Sequence, residues 1–251
     1  MPHKQRKRSE SGFYHIVAKG DGAQIIFESD RDKARYVAML AKAVGEHSIT
    51  LHAYCLMVNH VHLLVRDEAQ ALSAFMKQLS ETYAMYFGKK TGRVGRVFQR
   101  PFWSEPIESD AYFLSALRYI HANPEPANIC RAQDYPWSSY QAYLFGSSFV
   151  EVDFAREMLG GVQRFEEFSA SGGCYAKPFK GSMLAGHQSH DELVNIAVAM
   201  LGRTGLNGLR TMPPDVRNPN IKMLSDKGFT DAEIARVTGI GISSVRRALS
   251  R

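Results

Sequence analysis

Apolar and polar positions alternate in recognisable blocks along the chain. The run Phe13-Tyr14-His15-Ile16-Val17-Ala18 is aromatic and β-branched, which predicts a strand that stops at Gly20-Asp21-Gly22. Asp30 then opens a helix over 31–45, where Tyr36, Leu40 and Val44 recur one turn apart with Val37 and Ala41 beside them. Two extended segments, Ile49 to Met57 and His60 to Arg66, meet at Val58-Asn59, where Asn suits the positive φ of a tight turn, so an antiparallel hairpin is expected. A helical pattern from Gln70 to Phe87 carries Leu72, Phe75, Met76, Leu79, Tyr83, Met85 and Tyr86. Val97 to Ile107 predicts a fourth strand. Ser109 or Asp110 caps a helix through Ala111 to about Ala122, ended by Pro124 because proline constrains the residue before it. The order βαββαβα predicts an α+β fold, an antiparallel sheet with helices packed on it.

Past Tyr143 the pattern changes. Gly146-Ser147-Ser148 leads into 151–192, where seven acidic residues face four basic ones and Gly160-Gly161 and Gly172-Gly173 interrupt. The expected division is a first domain over 1–145, a connecting region over 146–190 and a helical region over 191–251. Near the end, Glu233-Ile234-Ala235, Gly239, Ile240, Val245 and Leu249 have the spacing of a helix-turn-helix, with Ala235 at the helix crossing and Gly239 in the turn. Ile221 and Leu224 belong to a preceding support helix and Thr230 caps the next one, giving a small all-α unit over about 219–251.

Composition adds that 31 Lys+Arg stand against 25 Asp+Glu, a net charge of +6, which suits polyanionic partners. Between Lys89 and Arg100 the chain carries Lys89, Lys90, Arg93, Arg96 and Arg100 with no acidic residue, and Gly88, Gly92 and Gly95 fall in or beside the run, the pattern of a mobile basic loop. Cys55, Cys130 and Cys174 lack the close pairing of a zinc knuckle or redox motif, and read as reduced thiols. The basic start, Lys4 to Arg8, has no apolar run behind it, and the most apolar later stretch, Leu193 to Leu201, is far too short to span a bilayer. A cytoplasmic protein, nucleoid-associated when on DNA and without a membrane role, is expected.

Chemistry enters on the third strand. His60 and His62 project from one face while Val61, Leu63 and Val65 point to the other. Two neutral imidazoles side by side are ligands for a divalent ion that keeps positions open for water and a substrate oxygen. On the helix ending at Pro124, Phe113, Leu117 and Ile120 form the core stripe, with Tyr112, Ala116, Tyr119 and Asn123 beside it. A phenol such as Tyr119 can attack a phosphodiester and retain its bond energy in a covalent adduct for later rejoining, and Asn123, one turn away, can complete the metal coordination. At neutral pH a tyrosine is protonated, so attack needs help from the cation or a base that the sequence does not identify.

The run Tyr54-Cys55-Leu56-Met57-Val58-Asn59-His60-Val61-His62-Leu63-Leu64-Val65 resembles the HUH motif of single-tyrosine transposases, and Arg118-Tyr119-Ile120-His121-Ala122-Asn123-Pro124 resembles their tyrosine helix. With Phe13-Tyr14-His15, Phe98, Trp103 and Trp137-Ser138-Ser139-Tyr140, the region from Phe13 to Tyr143 is similar to the REP-associated tyrosine transposases of the IS200-like family. That resemblance implies a ferredoxin-like sheet of the HUH nuclease type, with His60 and His62 as paired metal ligands and Asn123 as third. It further implies Tyr119 as the nucleophile forming a 5′-phosphotyrosine, Mg²⁺ or Mn²⁺ as the ion, and single strands carrying hairpins as substrate. Glu125-Pro126 departs from the family, which usually has an apolar and then a basic residue after Asn-Pro; this touches local DNA contacts rather than the chemistry. His121 points elsewhere on its helix and reads as structural, while His15 and His52 have no assigned role.

Beside such a site Lys89, Lys90, Arg93, Arg96 and Arg100 would grip phosphates, and Phe98, Phe102 or Trp103 would stack an unpaired base. A recognition helix beginning near Gly241 or Ile242 would offer Ser243, Ser244, Arg246, Arg247 and Arg251 to duplex DNA. The expected protein is a monomer or homodimer that nicks and rejoins DNA. Two other readings use the same residues: a helix-turn-helix transcriptional regulator on an inactive nuclease scaffold, and a phosphodiesterase that attacks with water.

Overall fold

Four strands make the sheet of the computed structural model, which describes residues 7–92, 94–127, 129–171 and 190–250. They are β1 (Phe13–Lys19), β2 (Ile49–Leu56), β3 (His60–Asp67) and β4 (Trp103–Ile107), ordered β2-β3-β1-β4 with every neighbour antiparallel. Helices α1 (Asp30–Glu46), α2 (Leu72–Thr91) and α3 (Asp110–Ala122) complete the expected βαββαβα order and give the ferredoxin-like architecture. Strand alternation divides the sheet. Tyr14, Ile16, Ala18, Val61, Leu63 and Val65 form a buried apolar face, each large aliphatic contributing roughly 1.5–3 kcal/mol by leaving water. The other face takes the histidines, because Val17 pairs with His62 and Lys19 with His60.

Several expectations shift in detail. The buried stripe of α1 is Asp32, Lys33, Tyr36, Leu40 and Ala43, so Val37, Ala41 and Val44 are only half-buried. Asp32 enters this stripe because its carboxylate accepts from the Ser29 and Glu28 amides and pairs with Lys90. Asn59 does not adopt positive φ. The hairpin closes by Met57 N donating to His60 O at 2.9 Å, and the Val58 carbonyl accepts from Ile26 and Phe27, so no left-handed residue is needed. Gly20 is required where it stands: a Cβ there would lie 2.1 Å from Gln24 O.

Helix α2 runs on to Thr91, so Lys89 and Lys90 belong to its last turn instead of a loop, and Met85 faces solvent, 68% exposed. Strand β4 is shorter than expected. Val97 to Gln99 are tied to the end of β1 and the turn after it through Asp21 N to Val97 O and Gln99 N to Lys19 O, and Pro101 then offers no N–H for a ladder.

Beyond α3, Trp137 to Ser139 cover the free edge of β2. Leu56 N donates to Trp137 O, Ser139 N to Tyr54 O, and Tyr54 N to Ser139 Oγ at 2.9 Å. Helices α4 (Ala142–Phe145), α5 (Asp153–Leu159) and α6 (Val162–Ala170) follow. Part of the segment expected as a connection therefore packs on the sheet unit. Phe154 of α5 stacks on Phe13 and meets Phe113 edge-on, and Phe165 of α6 stacks on Tyr143 at 4.6 Å. These aromatics are far apart in sequence and carry no periodic signal. Cys174 lies outside the described residues.

The chain forms two units, one within Met1–Glu125 and Cys130–Ser182, the other within Pro126–Ile129 and Met183–Arg251. The second holds α7 (His190–Leu201), α8 (Arg203–Gly208), α9 (Pro214–Asp226), α10 (Asp231–Thr238) and α11 (Ile242–Leu249). Ile221 and Leu224 of α9, Phe229, Ile234 of α10, Ile240 and Val245 of α11 form its three-helix core. Thr230 and Glu233 make a reciprocal capping box at the start of α10, and Gly239 closes that helix in the left-handed conformation at φ +68°. Helix α9 starts earlier than the expected 219, with Pro219 inside it. No described helix is long and apolar enough to cross a membrane.

Candidate functional site

His60 and His62 stand side by side on β3, ring centroids 4.8 Å apart and planes at 83°. Each has its Nδ1 engaged. His60 Nδ1 is 2.9 Å from Asn59 Oδ1, and His62 Nδ1 is 2.9 Å from Nε2 of His15 on the neighbouring strand. A carboxamide oxygen only accepts, so the His60 proton sits on Nδ1 and the Nε2 lone pair is the ligating one. All three rings are buried, at 4%, 4% and 1% exposure for His60, His62 and His15. Burial, reinforced by His60, lowers the pKa of His15 to about 3. Burial also holds His62 well below its ordinary value, with His60, His15 and Lys19 acting in the same direction and Asn123 against it. The His15 and His62 rings are therefore neutral, the form that binds metals.

Helix α3 carries the other half. Ser109 Oγ accepts from Tyr112 N at its start, and Phe113, Leu117 and Ile120 anchor it in the core. This orientation brings Tyr119, half-buried, edge-on to both His15 and His62, with centroids 5.9 and 5.6 Å away. Asn123 donates from Nδ2 to Tyr119 O at 2.9 Å, which leaves Oδ1 as its ligating atom.

The donor set fits a divalent cation. His62 Nε2 is a buried nitrogen without a hydrogen bond of ordinary geometry, and the Asn123 side chain lies within hydrogen-bonding reach of the same ring. Two imidazole nitrogens and a carboxamide oxygen suit Mg²⁺ or Mn²⁺ chemistry, Mn²⁺ more closely because imidazole is the softer donor. Among the described residues there is no group of three or more His, Cys, Asp or Glu placed to hold a metal ion.

Residues 9–123 match the family model described as "Transposase IS200 like". The matched region, a little under half of the chain, is similar to the IS200-like transposases. A solved structure described as "Structure of the REP associates tyrosine transposase bound to a REP hairpin" has the same fold, with a TM-score of 0.50 and 14% identity, covering 61% of this chain and 90% of that one. No curated protein sequence matches. The matched region takes in all four strands and α1 to α3, and ends on Asn123 itself.

Around the histidine pair the basic candidates separate. Lys90 is committed to Asp32 at 2.6 Å and Glu28 at 3.4 Å, which makes it a clamp between α2 and α1. Arg100 pairs with Glu81 at 3.2 Å on the surface, where such a pair is weak enough to exchange. Lys89 and Arg96 are exposed, and Arg93 lies outside the described residues. Phe98 is not available to stack a base: it is buried against Tyr36 and Tyr83. Trp103 is, being 37% exposed at the sheet edge with its ring edge-on to His15 at 5.5 Å.

His15 is the residue without a role in the sequence that the fold carries into the site. Its signal was position: β1 lies beside β3, and His15 shares the parity of Val17 and Lys19, which pair with the two ligand candidates. Seeing this needed the strand register. His121 is remote from the site, with Nε2 2.8 Å from Ser139 Oγ among Tyr140, Tyr143 and Phe165. His52 lies further along the sheet among Phe13, Phe113 and Phe154, with Nδ1 2.9 Å from Glu151. In the second unit, Ser243, Arg246 and Arg247 of α11 are exposed and Ser244 is half-buried, while Arg246 reaches Asp231 at 3.2 Å.

Proposed function

We propose that the first unit is a metal-assisted endonuclease and strand transferase acting on single-stranded, hairpin-bearing DNA during transposition or mobilisation of repetitive elements. The observation that carries this reading is the convergence of Tyr119 on the His60–His62 pair, with Asn123 one helical turn behind it. Tyr119 Oη attacks the scissile phosphorus, a P–Oη bond forms, and the P–O3′ bond breaks. The departing 3′ oxygen takes up a proton, and the phenol proton passes to solvent or a bound base. The DNA is left as a 5′-phosphotyrosine, and a 3′-hydroxyl attacking that bond regenerates Tyr119 and joins the strand.

His60 Nε2, His62 Nε2 and Asn123 Oδ1 would hold the divalent ion. When bound, that ion supplies a Lewis acid that offsets charge developing on the phosphate. Asn59 and His15 orient the two imidazoles, and the buried setting strengthens every charge interaction made there. Trp103 supplies a face on which an unpaired base can stack, while Lys89, Arg93, Arg96 and Arg100 contact backbone phosphates.

The chain then divides by task into a catalytic domain over 1–145, a segment over 146–190 that in part buttresses it, and a helical region over 191–251 that binds duplex DNA. In the last, α11 presents Ser243, Ser244, Arg246 and Arg247 to a major groove, and the arrangement of α10, the Gly239 turn and α11 supports that reading.

The test is cleavage of end-labelled single-stranded hairpin DNA with Mn²⁺ or with EDTA. The expected product is a 5′ fragment ending in a free 3′-hydroxyl and a downstream fragment bound to protein, formed only with metal. A downstream fragment with a free 5′-phosphate would point to water as the attacking group. Absence of cleavage across a hairpin library would point to a DNA-binding regulator.

A further inference from the structure

The geometry points to His15 as a positioning residue that fixes the tautomer of His62, accepting at Nε2 the proton of His62 Nδ1 and so reserving His62 Nε2 as a lone-pair donor. The inference rests on the reading of His60 and His62 as metal ligands. His15 Nε2 and His62 Nδ1 are 2.9 Å apart, with near-parallel rings at 11° and both buried, so the contact is a directed hydrogen bond sealed from water. Between two neutral imidazoles one nitrogen must donate and the other accept. The contact alone allows either direction, and ligation sets it: an Nε2 that holds a cation carries no proton, so the His62 proton sits on Nδ1, where His15 Nε2, 2.9 Å away, is the atom placed to accept it. A site preorganised for the cation holds that tautomer before the cation binds.

The parallel with His60 is close. There the acceptor is Asn59 Oδ1, also at 2.9 Å and adjacent in sequence; at His62 it comes from the next strand. The sheet thus provides one outer partner for each imidazole, and outer partners of this kind typically change metal affinity by about 10–100-fold. His15 also touches Trp103 and Tyr119 by its ring edge contacts, so the same residue holds the distance between the ligand pair, the nucleophile candidate and the stacking candidate.

The test uses the full chain and Mn²⁺ alone, by isothermal titration calorimetry, with His62→Ala as reference. His15→Phe keeps an aromatic ring but no acceptor, and His15→Gln restores an oxygen at nearly the place of Nε2. The expected result is binding weakened about 10–100-fold in His15→Phe and recovered to within a few-fold of wild type in His15→Gln, with both variants still folding cooperatively without metal. Wild-type affinity in His15→Phe, or equal losses in both variants, would overturn the inference. A second readout is independent of any metal: ¹⁵N histidine spectra of the metal-free protein should show His62 protonated on Nδ1, with that preference lost in His15→Phe. Protonation on Nε2 in the wild type would overturn the inference. If the wild type and His62→Ala bind Mn²⁺ equally, or neither binds, the ligand reading itself fails while the spectra still decide the tautomer.

Discussion

Asn123 donates from Nδ2 to the backbone carbonyl of Tyr119, 2.9 Å away, and its side chain also acts on the His62 ring, so one residue both tethers the end of α3 and reaches the histidine face of the sheet. Replacing it by Ala removes both functions. Asn123→Ala is expected to weaken Mn²⁺ binding by about 10-fold, while Asn123→Asp, which keeps an oxygen and adds charge, binds at least as tightly as wild type. Calorimetric titration of the three proteins checks this, and equal affinities would remove Asn123 from the ligand set.

Ser139 serves two partners in the buried strap over β2: its Oγ accepts from Tyr54 N at 2.9 Å and lies 2.8 Å from His121 Nε2. Ser139→Ala leaves a buried amide and a buried imidazole nitrogen without that oxygen. A loss of about 2–3 kcal/mol in chemical denaturation is expected, with Mn²⁺ affinity changed little because Ser139 makes none of the hydrogen bonds that orient His60 and His62.

His52 gives the fold a pH dependence. Burial, then the cation of Arg66, lowers its pKa from 6.5 to about 4, with Glu151 acting in the opposite direction. The folded value lies below the unfolded one, so the unfolded chain binds the extra proton between them. The contribution is fully present above pH 6.5 and is lost as pH falls toward 4, a total of about 3 kcal/mol. Denaturation midpoints collected from pH 7 to 4.5 should fall for wild type, and fall less steeply, by about one proton, for His52→Gln. Identical slopes would show that His52 does not carry this effect.

Arg246 and Arg247 are the exposed charges of α11. The double change to Ala is expected to weaken binding of the full chain to duplex DNA and to reduce the salt dependence of that binding by about two counterions. Cleavage of single-stranded hairpins should be unchanged. Unaltered duplex affinity would leave the C-terminal unit without its assigned task.

Much of this was legible before any coordinates. The period-2 run from His60 to Val65 gave the two-faced strand, and the 3.6-residue spacing of Phe113, Leu117 and Ile120 placed Tyr119 and Asn123 together, because both depend only on local geometry. Thr230, Gly239 and Val245 marked the terminal helices for the same reason. What stayed hidden depends on distant pairing. His15 enters the site through the β1–β3 register, Lys90 is diverted by Asp32 58 positions away, and Phe98 is absorbed by Tyr36 and Tyr83. Helices α5 and α6 join the first unit through aromatic contacts that obey no period, which is why their acidic, glycine-broken sequence read as a connection.

The central claim is that Tyr119 forms the covalent bond to DNA, and the most direct measurement is the mass of the peptide containing it after reaction with a hairpin substrate and Mn²⁺. The account predicts a nucleotide adduct on Tyr119 of the wild type, and none anywhere in Tyr119→Phe, whose cleavage should fall by at least about 10³-fold. An adduct on another residue, or undiminished cleavage by Tyr119→Phe, would contradict it.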